Sequence, residues 1–358
     1  MITINYGKDI IKTTFDTLVA SDIKTYLKQG MKAAIKPNLV KPDVTSNGAT
    51  THPEVIEGII QFLKEYGIQN ISVIENSAVG YCTKQAYKVC GYETLNKKYN
   101  VPLIDLKDDK FVTLNHDGTD IKIFQKALET DFLINVPVLK GHSQTRLTCC
   151  MKNLKGCIPH DEMKRFHTLG LHKPIAALNV LLKTGYCVVD SICGDLSFEE
   201  GGTPVEANRI IAGQNPFLVD SYCAQLIGYK PQEIEYFSFG KKYGLGDLYS
   251  QDTKIVELNS DCKPLASVKS NRTADKYRSL IEEDSACSVC FAALVYAMHR
   301  GSETVFLRNF PKCKKVCIGQ GFRGKSSDCL GIGNCASGFK EYVKGCPPKA
   351  ADILESLS

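Results

Sequence analysis

THPEVIEGIIQFLKEYGIQNISVIEN, residues 51–76, reads as a helix followed by a buried strand. Thr51-His52-Pro53 is a helix start, with proline in the first turn, where its missing N–H costs nothing. Val55, Ile56, Ile59, Ile60 and Leu63 follow at helical spacing. Gly67 ends that element, and Ile71 to Ile74 is a short β-rich run too brief for a helix.

The same alternation extends outward in both directions. Upstream, Ala33 to Lys36 is an apolar run broken by Pro37. Downstream come a helix over Thr83 to Cys90, a strand over Val101 to Leu106 and the buried strand DFLINVPV at Asp131 to Val138. Leu147, Cys150, Met151 and Leu154 form a helical stripe; Pro174 to Thr184 is a helix and Tyr186 to Val189 a strand. Arg209 to Ala212 and a helix over Pro216 to Ile227 complete the series. Strands alternating with helices predict an α/β fold, a doubly wound, mostly parallel sheet with helices on both faces. From Lys230 to Asn271 the pattern becomes polar, which places the end of the main domain near residue 265. A Cys-rich region follows over 270–358, with a helix at Phe291 to His299, strands at Val305 to Leu307 and Lys315 to Ile318, and a closing helix at Pro348 to Leu357.

Composition narrows the functional classes. With 43% hydrophobic and 23% charged residues the chain is an ordinary globular one. No apolar run reaches the roughly 18–20 residues of a membrane span, and the N-terminus lacks a signal-peptide pattern, so a cytoplasmic location and no membrane partner are expected. A net charge of +5 without a recognisable module argues against nucleic acid. The basic excess is local: Lys140 to Lys173 contains seven Lys/Arg and four His against Asp161 and Glu162. That pattern points to a pocket for a small anionic ligand or substrate, a solvated basic loop being the alternative.

Sixteen cysteines in such a chain are not a disulfide framework. Cys187 and Cys223 lie in apolar segments and pack as small hydrophobes. Cys287-Ser-Val-Cys290 is a chelate placed before a helix, and Cys335 and Cys346 lie in GIGNCASGFKEYVKGCPP. Thiolates flanked by glycines and followed by proline suit a 4Fe–4S cluster. Zinc sites pair two close chelates, and here the second pair is split by ten intervening residues; zinc and unligated thiols remain the alternatives. Cys317 is the substitute ligand, and Cys313 and Cys329 are further thiols of the same region. Gly319-Gln-Gly-Phe-Arg-Gly324-Lys325-Ser326 matches a phosphate-loop pattern, but SSDCLGIGNC beyond it is no helix, so the glycines are expected to wrap the cluster instead.

In a doubly wound sheet, ligands bind outside the carboxyl ends of the strands. Lys36, Glu75, Lys140, His142 and Asp190 stand at or just beyond such ends and are candidate catalytic groups. Asn38, His52, Lys152, Asn153 and Lys155 are candidate ligand-binding groups beside them. The plain alternatives are a solvated lysine, a turn-capping aspartate and an N-capping His52. His160, His167 and His172 read as loop residues without a metal-binding register.

IKPNLV at 35–40, THPEVIEGII at 51–60, LINVPVLKGH at 133–142, MKNLKG at 151–156 and VVDSICG at 188–194 together resemble the iron–sulfur proteins classed as domain of unknown function 362. CIGQG, GIGNC and GCPP are similar to the cluster-binding extension carried by many members. The resemblance implies an α/β main domain and a 4Fe–4S cluster, most often in anaerobes. Some members append a bacterial ferredoxin module, where this chain has a sparser set of cysteines. The expected function is a redox protein passing electrons to or from a small anion or a partner such as a ferredoxin-like donor. The alternatives are a non-catalytic module with a structural or sensing cluster, and a zinc-stapled transferase or ligase.

Overall fold

A computed structural model describes residues 1–264, 270, 272–303 and 315–357. The main domain is built on eight strands: β1 (Ile2–Tyr6), β2 (Lys32–Lys36), β3 (Asn70–Glu75), β4 (Leu103–Asp105), β5 (Phe132–Asn135), β6 (Tyr186–Asp195), β7 (Pro204–Gly213) and β8 (Ile255–Leu258). Their order is β8-β1-β7-β6-β5-β2-β3-β4. Five neighbouring pairs are parallel, while β1–β7 and β6–β7 are antiparallel.

Side-chain alternation builds a core on each face. Ala33, Ile35, Phe132, Ile134 and Val188 face helices α1 (Ile10–Ala20), α2 (Pro53–Glu65), α3 (Thr83–Val89) and α4 (Glu93–Tyr99). Ala34, Leu133, Cys187, Val189 and Ile211 face α5 (Cys150–Asn153), α6 (His160–Thr168), α7 (His172–Leu181), α8 (Pro216–Leu226) and α9 (Glu235–Lys242). A period of two with both faces apolar is what a sheet buried between two helical layers requires. Among the described residues no helix is long and apolar enough to cross a membrane.

Several expectations need correction. The run DFLINVPV is a strand only over Phe132–Asn135; Pro137 supplies no amide and Val138 keeps a single bridge to Asp190. Tyr186 to Val189 is part of a ten-residue strand that forms a long antiparallel pair with β7. His160 and His167 lie on α6 and His172 opens α7, not on a loop: Met163, Phe166 and His167 give α6 a buried face. The polar stretch after Lys230 still holds α9 and β8, which returns to the sheet edge beside β1.

The Cys-rich region forms a parallel sheet of three-residue strands, β9 (Ile281–Glu283), β10 (Val316–Ile318), β11 (Leu330–Ile332) and β12 (Glu341–Val343), in chain order. Helices α10 (Ser288–Glu303) and α11 (Ala350–Ser356) cover it through Phe291, Leu294, Met298, Ile353 and Leu357. The expected strand at Val305 to Leu307 and the thiol of Cys313 lie outside the described residues. Gln144 joins the two parts: its side chain donates to Glu283 Oε1 (2.6 Å) and the Ala286 carbonyl (3.0 Å), and accepts from Ser288 Oγ (2.7 Å).

Candidate functional site

Two sets of parallel strand ends meet across the joint between the sheets. β2 ends at Lys36 and β3 at Glu75, while Lys140 and His142 follow β5 on a short hairpin (Lys140–His142 with Arg146–Thr148). On the other side Cys335 stands three residues past β11 and Cys346 three past β12, and Cys287 lies between β9 and α10. A cleft of about 190 Å³ is lined by Lys36, Asn38, Glu75, Lys140, His142, Lys152, Asn153 and Lys155 together with Cys287, Cys290 and Cys346. A second, smaller cavity is lined by Cys287, Cys290, Cys335 and Cys346, with Gly319, Gly333, Gly345, Lys164 and Arg323. Lys164 and the thiols of Cys287, Cys290 and Cys346 border both.

Lys36 and Glu75 are committed to each other. Lys36 Nζ lies 2.7 and 2.8 Å from the two Glu75 oxygens and 2.6 Å from the Pro37 carbonyl. Glu75 also accepts from the amides of Leu39 (2.9 Å) and Asn76 (2.8 Å). Both side chains are buried; burial raises the Glu75 pKa, with the Lys36 ammonium opposing it. Gly156 packs against this pair, and a Cβ there would collide with Glu75 Oε1 and the end of Lys36. Lys36 therefore has no charge to spare for a ligand.

Lys140 is also partly engaged, donating to the Ala49 carbonyl (2.6 Å) and to Asn38 Oδ1 (3.2 Å). Asn38 Nδ2 donates to Asn153 Oδ1 (3.0 Å), and Asn153 Nδ2 to Asn135 Oδ1 (2.8 Å), so both asparagines serve as scaffolding at the cleft wall. Lys152 and Lys155 differ: among the described residues neither has a carboxylate within ion-pair distance. Burial, reinforced by Lys152, pulls the Lys140 pKa down to about 7, and burial pulls Lys152 down to about 8. Burial, followed by Lys152, takes Lys155 to about 7.

His142 is held by the hairpin turn. Its Nδ1 accepts the amides of Gln144 (3.0 Å) and Thr145 (3.2 Å), which leaves the single ring proton on Nε2. Burial, then the neighbouring lysines, keeps its pKa well below the usual imidazole range. It is thus a neutral hydrogen-bond donor, not an acid that delivers a proton. Nε2 lies 3.5 Å from Glu199 Oε1 without a hydrogen bond, and Glu199 is itself held by Ser143 Oγ (2.7 Å) and its amide (3.0 Å).

His52 and Asp190 stand apart from the cleft lining. His52 occupies the N-cap position of α2 but its ring makes no cap; Nδ1 and the backbone amide both meet Asp190 Oδ2, at 2.9 and 2.8 Å. Burial lowers the His52 pKa, and Asp190 outweighs it to give a net rise. The pair ties α2 to β6. Of the three downstream histidines, His160 meets the Ser77 carbonyl (2.9 Å), His172 stacks on Tyr236, and His167 alone reaches the cleft.

Charge and backbone around the second cavity suit an anionic iron–sulfur group. Burial, with Cys287, Cys346 and Cys335 adding, pushes the Cys290 thiol up to about 12, and burial likewise raises Cys287. Positive charge inside the cavity reverses that. Arg323 Nε lies 3.5 Å from Cys335 Sγ, and Lys155 and Lys164 favour the thiolate of Cys287. No three of these thiols lie within 4.8 Å of one another, whereas four sulfurs about 2.3 Å from one zinc ion stand closer than that. The glycines at 333 and 345 have φ of 84° and 141°, conformations that bring backbone into the wall without a Cβ. Cys317 lies outside this lining, against Phe322 and Phe339. Gly319 does line the cavity, and Lys325 pairs with Asp284 (3.5 Å) where a phosphate loop would begin its helix.

A separate set of donors, Cys149, Cys150 and Asp220, lies buried in the main core. There Asp220 accepts the amides of Cys150 (2.7 Å) and Met151 (3.0 Å), so its carboxylate caps α5.

The lysine titrations make affinity for an anion pH-dependent. Sulfate, which carries two charges throughout, is expected to bind more weakly as pH rises through about 7 and 8, because Lys140, Lys155 and Lys152 lose their protons there. The loss approaches about tenfold per pH unit for each lysine that must be recharged. His142 and His167 stay neutral over this window. Isothermal titration from pH 6 to 9 measures it; a flat profile would mean that none of the three lysines touches the anion.

A family model described as "Domain of unknown function (DUF362)" matches residues 33–225, which hold every lysine of the cleft, Lys164 included, and none of the four tail thiols. The chain is 25% identical over 231 residues to the thylakoid-associated protein sll1697 of Synechocystis sp., covering 62% of this chain and 70% of that one. Among solved structures, the lactate racemase apoprotein of Thermoanaerobacterium thermosaccharolyticum aligns at 13% identity with a TM-score of 0.41, over 63% of this chain and 57% of that one. A protein from Thermotoga maritima aligns at 13% identity and a TM-score of 0.35, over 51% of each chain. With more than half its length matched by the family model, the chain belongs to the domain of unknown function 362 family.

Proposed function

We propose that the chain is an iron–sulfur redox protein in which Cys287, Cys290, Cys335 and Cys346 hold one 4Fe–4S cluster beside a cleft for a small organic anion. The observation that carries this reading is the shared wall: three of the four thiols border the lysine-lined cleft as well as the cavity the four enclose. Such a cluster, when bound, exchanges single electrons. Lys152 and Lys155 would attract the anion, Lys140 would add to their field, and the His142 Nε2 proton would orient it. The Lys36–Glu75 pair and the Asn38–Asn153 network hold the wall that carries these groups. Cys346 is exposed, which would give a ferredoxin-like carrier an approach to the cluster. A reducing compartment such as the cytoplasm would keep these thiols available for iron.

A structural or sensing role is the second reading. It is favoured by the small size of the tail's strands, three residues each, which a cluster tied to the β9, β11 and β12 connections would staple together. Anaerobic purification, iron and sulfide analysis, and EPR before and after dithionite test both. About four iron and four sulfide with a signal appearing on reduction supports the redox reading. A cluster that cannot be reduced, and whose removal unfolds the tail, supports the second. Zinc, or no metal, overturns both.

A further inference from the structure

Four buried polar atoms on residues of the cleft have no hydrogen-bond partner: His142 Nε2, His167 Nδ1, Thr148 Oγ1 and Asn76 Oδ1. Their residues are 4%, 9%, 2% and 2% exposed. Leaving such an atom unsatisfied is costly, so four around one cavity mark places that something outside the chain completes.

The four atoms differ in hydrogen-bonding sense. His142 Nδ1 already takes two amides, so Nε2 is a donor. The Ala286 carbonyl stands beside the His167 ring, and Nδ1 has no partner, so in the tautomer protonated at Nε2 it presents a lone pair. Asn76 Nδ2 donates to the Ile158 carbonyl (2.9 Å), which leaves Oδ1 as an acceptor. Thr148 serves either way. Lys152 and Lys155 supply positive charge, and Leu39, Val40, Val79 and Val289 give an apolar wall. A bare oxyanion would satisfy the donors and the lysines, yet it has nothing to give Asn76 Oδ1 or His167 Nδ1.

We infer that the cleft takes an organic acid carrying, besides its carboxylate or phosphate, a hydroxyl or amino group that donates to Asn76 Oδ1 or His167 Nδ1. This deepens the reading of the cleft as an anion site and rests on it. Hydrogen-bonding sites reject analogues that lack the matching group, because the site's own polar atoms are then left unpaired.

Matched probes test it by isothermal titration on the intact, anaerobically purified protein: succinate against L- and D-malate, and propyl phosphate against glycerol 3-phosphate. The hydroxylated member of one pair is expected to bind about tenfold or more tightly than its partner. Asn76→Leu, or independently His167→Phe, should erase that advantage while leaving the affinity for the unhydroxylated partner unchanged. Equal affinities within both pairs would overturn the inference and leave the anion site standing. Failure of all the probes to bind would remove the anion site as well. A preference that survives both substitutions would also overturn it, since other atoms would then be reading the hydroxyl.

Discussion

Lys36→Met is expected to destabilise the protein by about 3–5 kcal/mol, because it leaves the Glu75 carboxylate buried without its counter-charge. Glu75 has no access to water that could compensate: its oxygens face Lys36 Nζ and two backbone amides. The raised Glu75 pKa has burial as its leading cause and the lysine as the chief opposing one, so loss of the lysine drives the carboxyl toward its neutral form. Replacing both partners, Lys36→Met with Glu75→Leu, should restore much of the stability, since two apolar groups need no compensation. Gly156→Ala attacks the same pair without changing a charge, by placing a methyl group where Glu75 Oε1 and Lys36 now sit. By contrast Lys152→Met should leave stability unchanged or improved, for Lys152 is a half-buried charge without a carboxylate partner. Denaturant unfolding distinguishes these cases through the midpoint at constant slope. A wild-type midpoint for Lys36→Met would mean that the ion pair is not formed in solution and that Lys36 returns to the set of ligand-binding lysines.

That contrast marks where reading along the chain stops. The helix of residues 53–65 was legible because one face is apolar at helical spacing, and the strand after it because its β-rich run is too short for a helix. The cleft was legible because parallel strands put the residues following them at one edge, and Lys36, Glu75, Lys140 and His142 all follow that rule. Which of those charges is free is a different kind of fact. Lys36 and Lys152 look alike in sequence, and only the packing of Glu75 and Gly156 tells them apart. Asp190 fails as a cleft residue because β6 continues five residues past it, so it lies within the strand and reaches back to His52. The helix bearing His167 was missed because HDEMKRFHT is polar overall, with Met163, Phe166 and His167 as its buried face. Thr148, like His167, gives no local sign of its place, since burial without a partner arises only when distant segments close over it. The strand ITINY at the N-terminus shows the alternation of a half-buried strand but lies outside the strand–helix series, and its partners, β7 and β8, come more than 200 residues later.

Substituting Cys287, Cys290, Cys335 or Cys346 singly by Ser should lower the iron and sulfide content of anaerobically purified protein to a small fraction of wild type or convert the cluster, whereas Cys317→Ser should leave it intact. The distinction is topological. Cys287, Cys335 and Cys346 all lie beyond the carboxyl ends of short parallel strands, and Cys290 sits on the first turn of α10, so the four sulfurs ring one cavity. Cys317 is inside β10, where its side chain belongs to a small hydrophobic group with Phe322, Ala336 and Phe339. Burial, and then Cys329, pushes its thiol up to about 12, as burial does for Cys290, so it is the packing position and not the titration that sets Cys317 apart. Spacing along the chain cannot separate the two classes, because Cys317 is nearer in sequence to Cys335 than Cys290 is. Iron loss on Cys317→Ser together with retention in one of the four would exchange that residue for Cys317 in the ligand set. Cys346→Ser tests more than the ligand set, because its thiol, like those of Cys287 and Cys290, borders both cavities. If it loses the cluster and yet binds sulfate as wild type does, the lysine cleft stands without the iron. If anion affinity falls with the cluster, the two cavities act as one site.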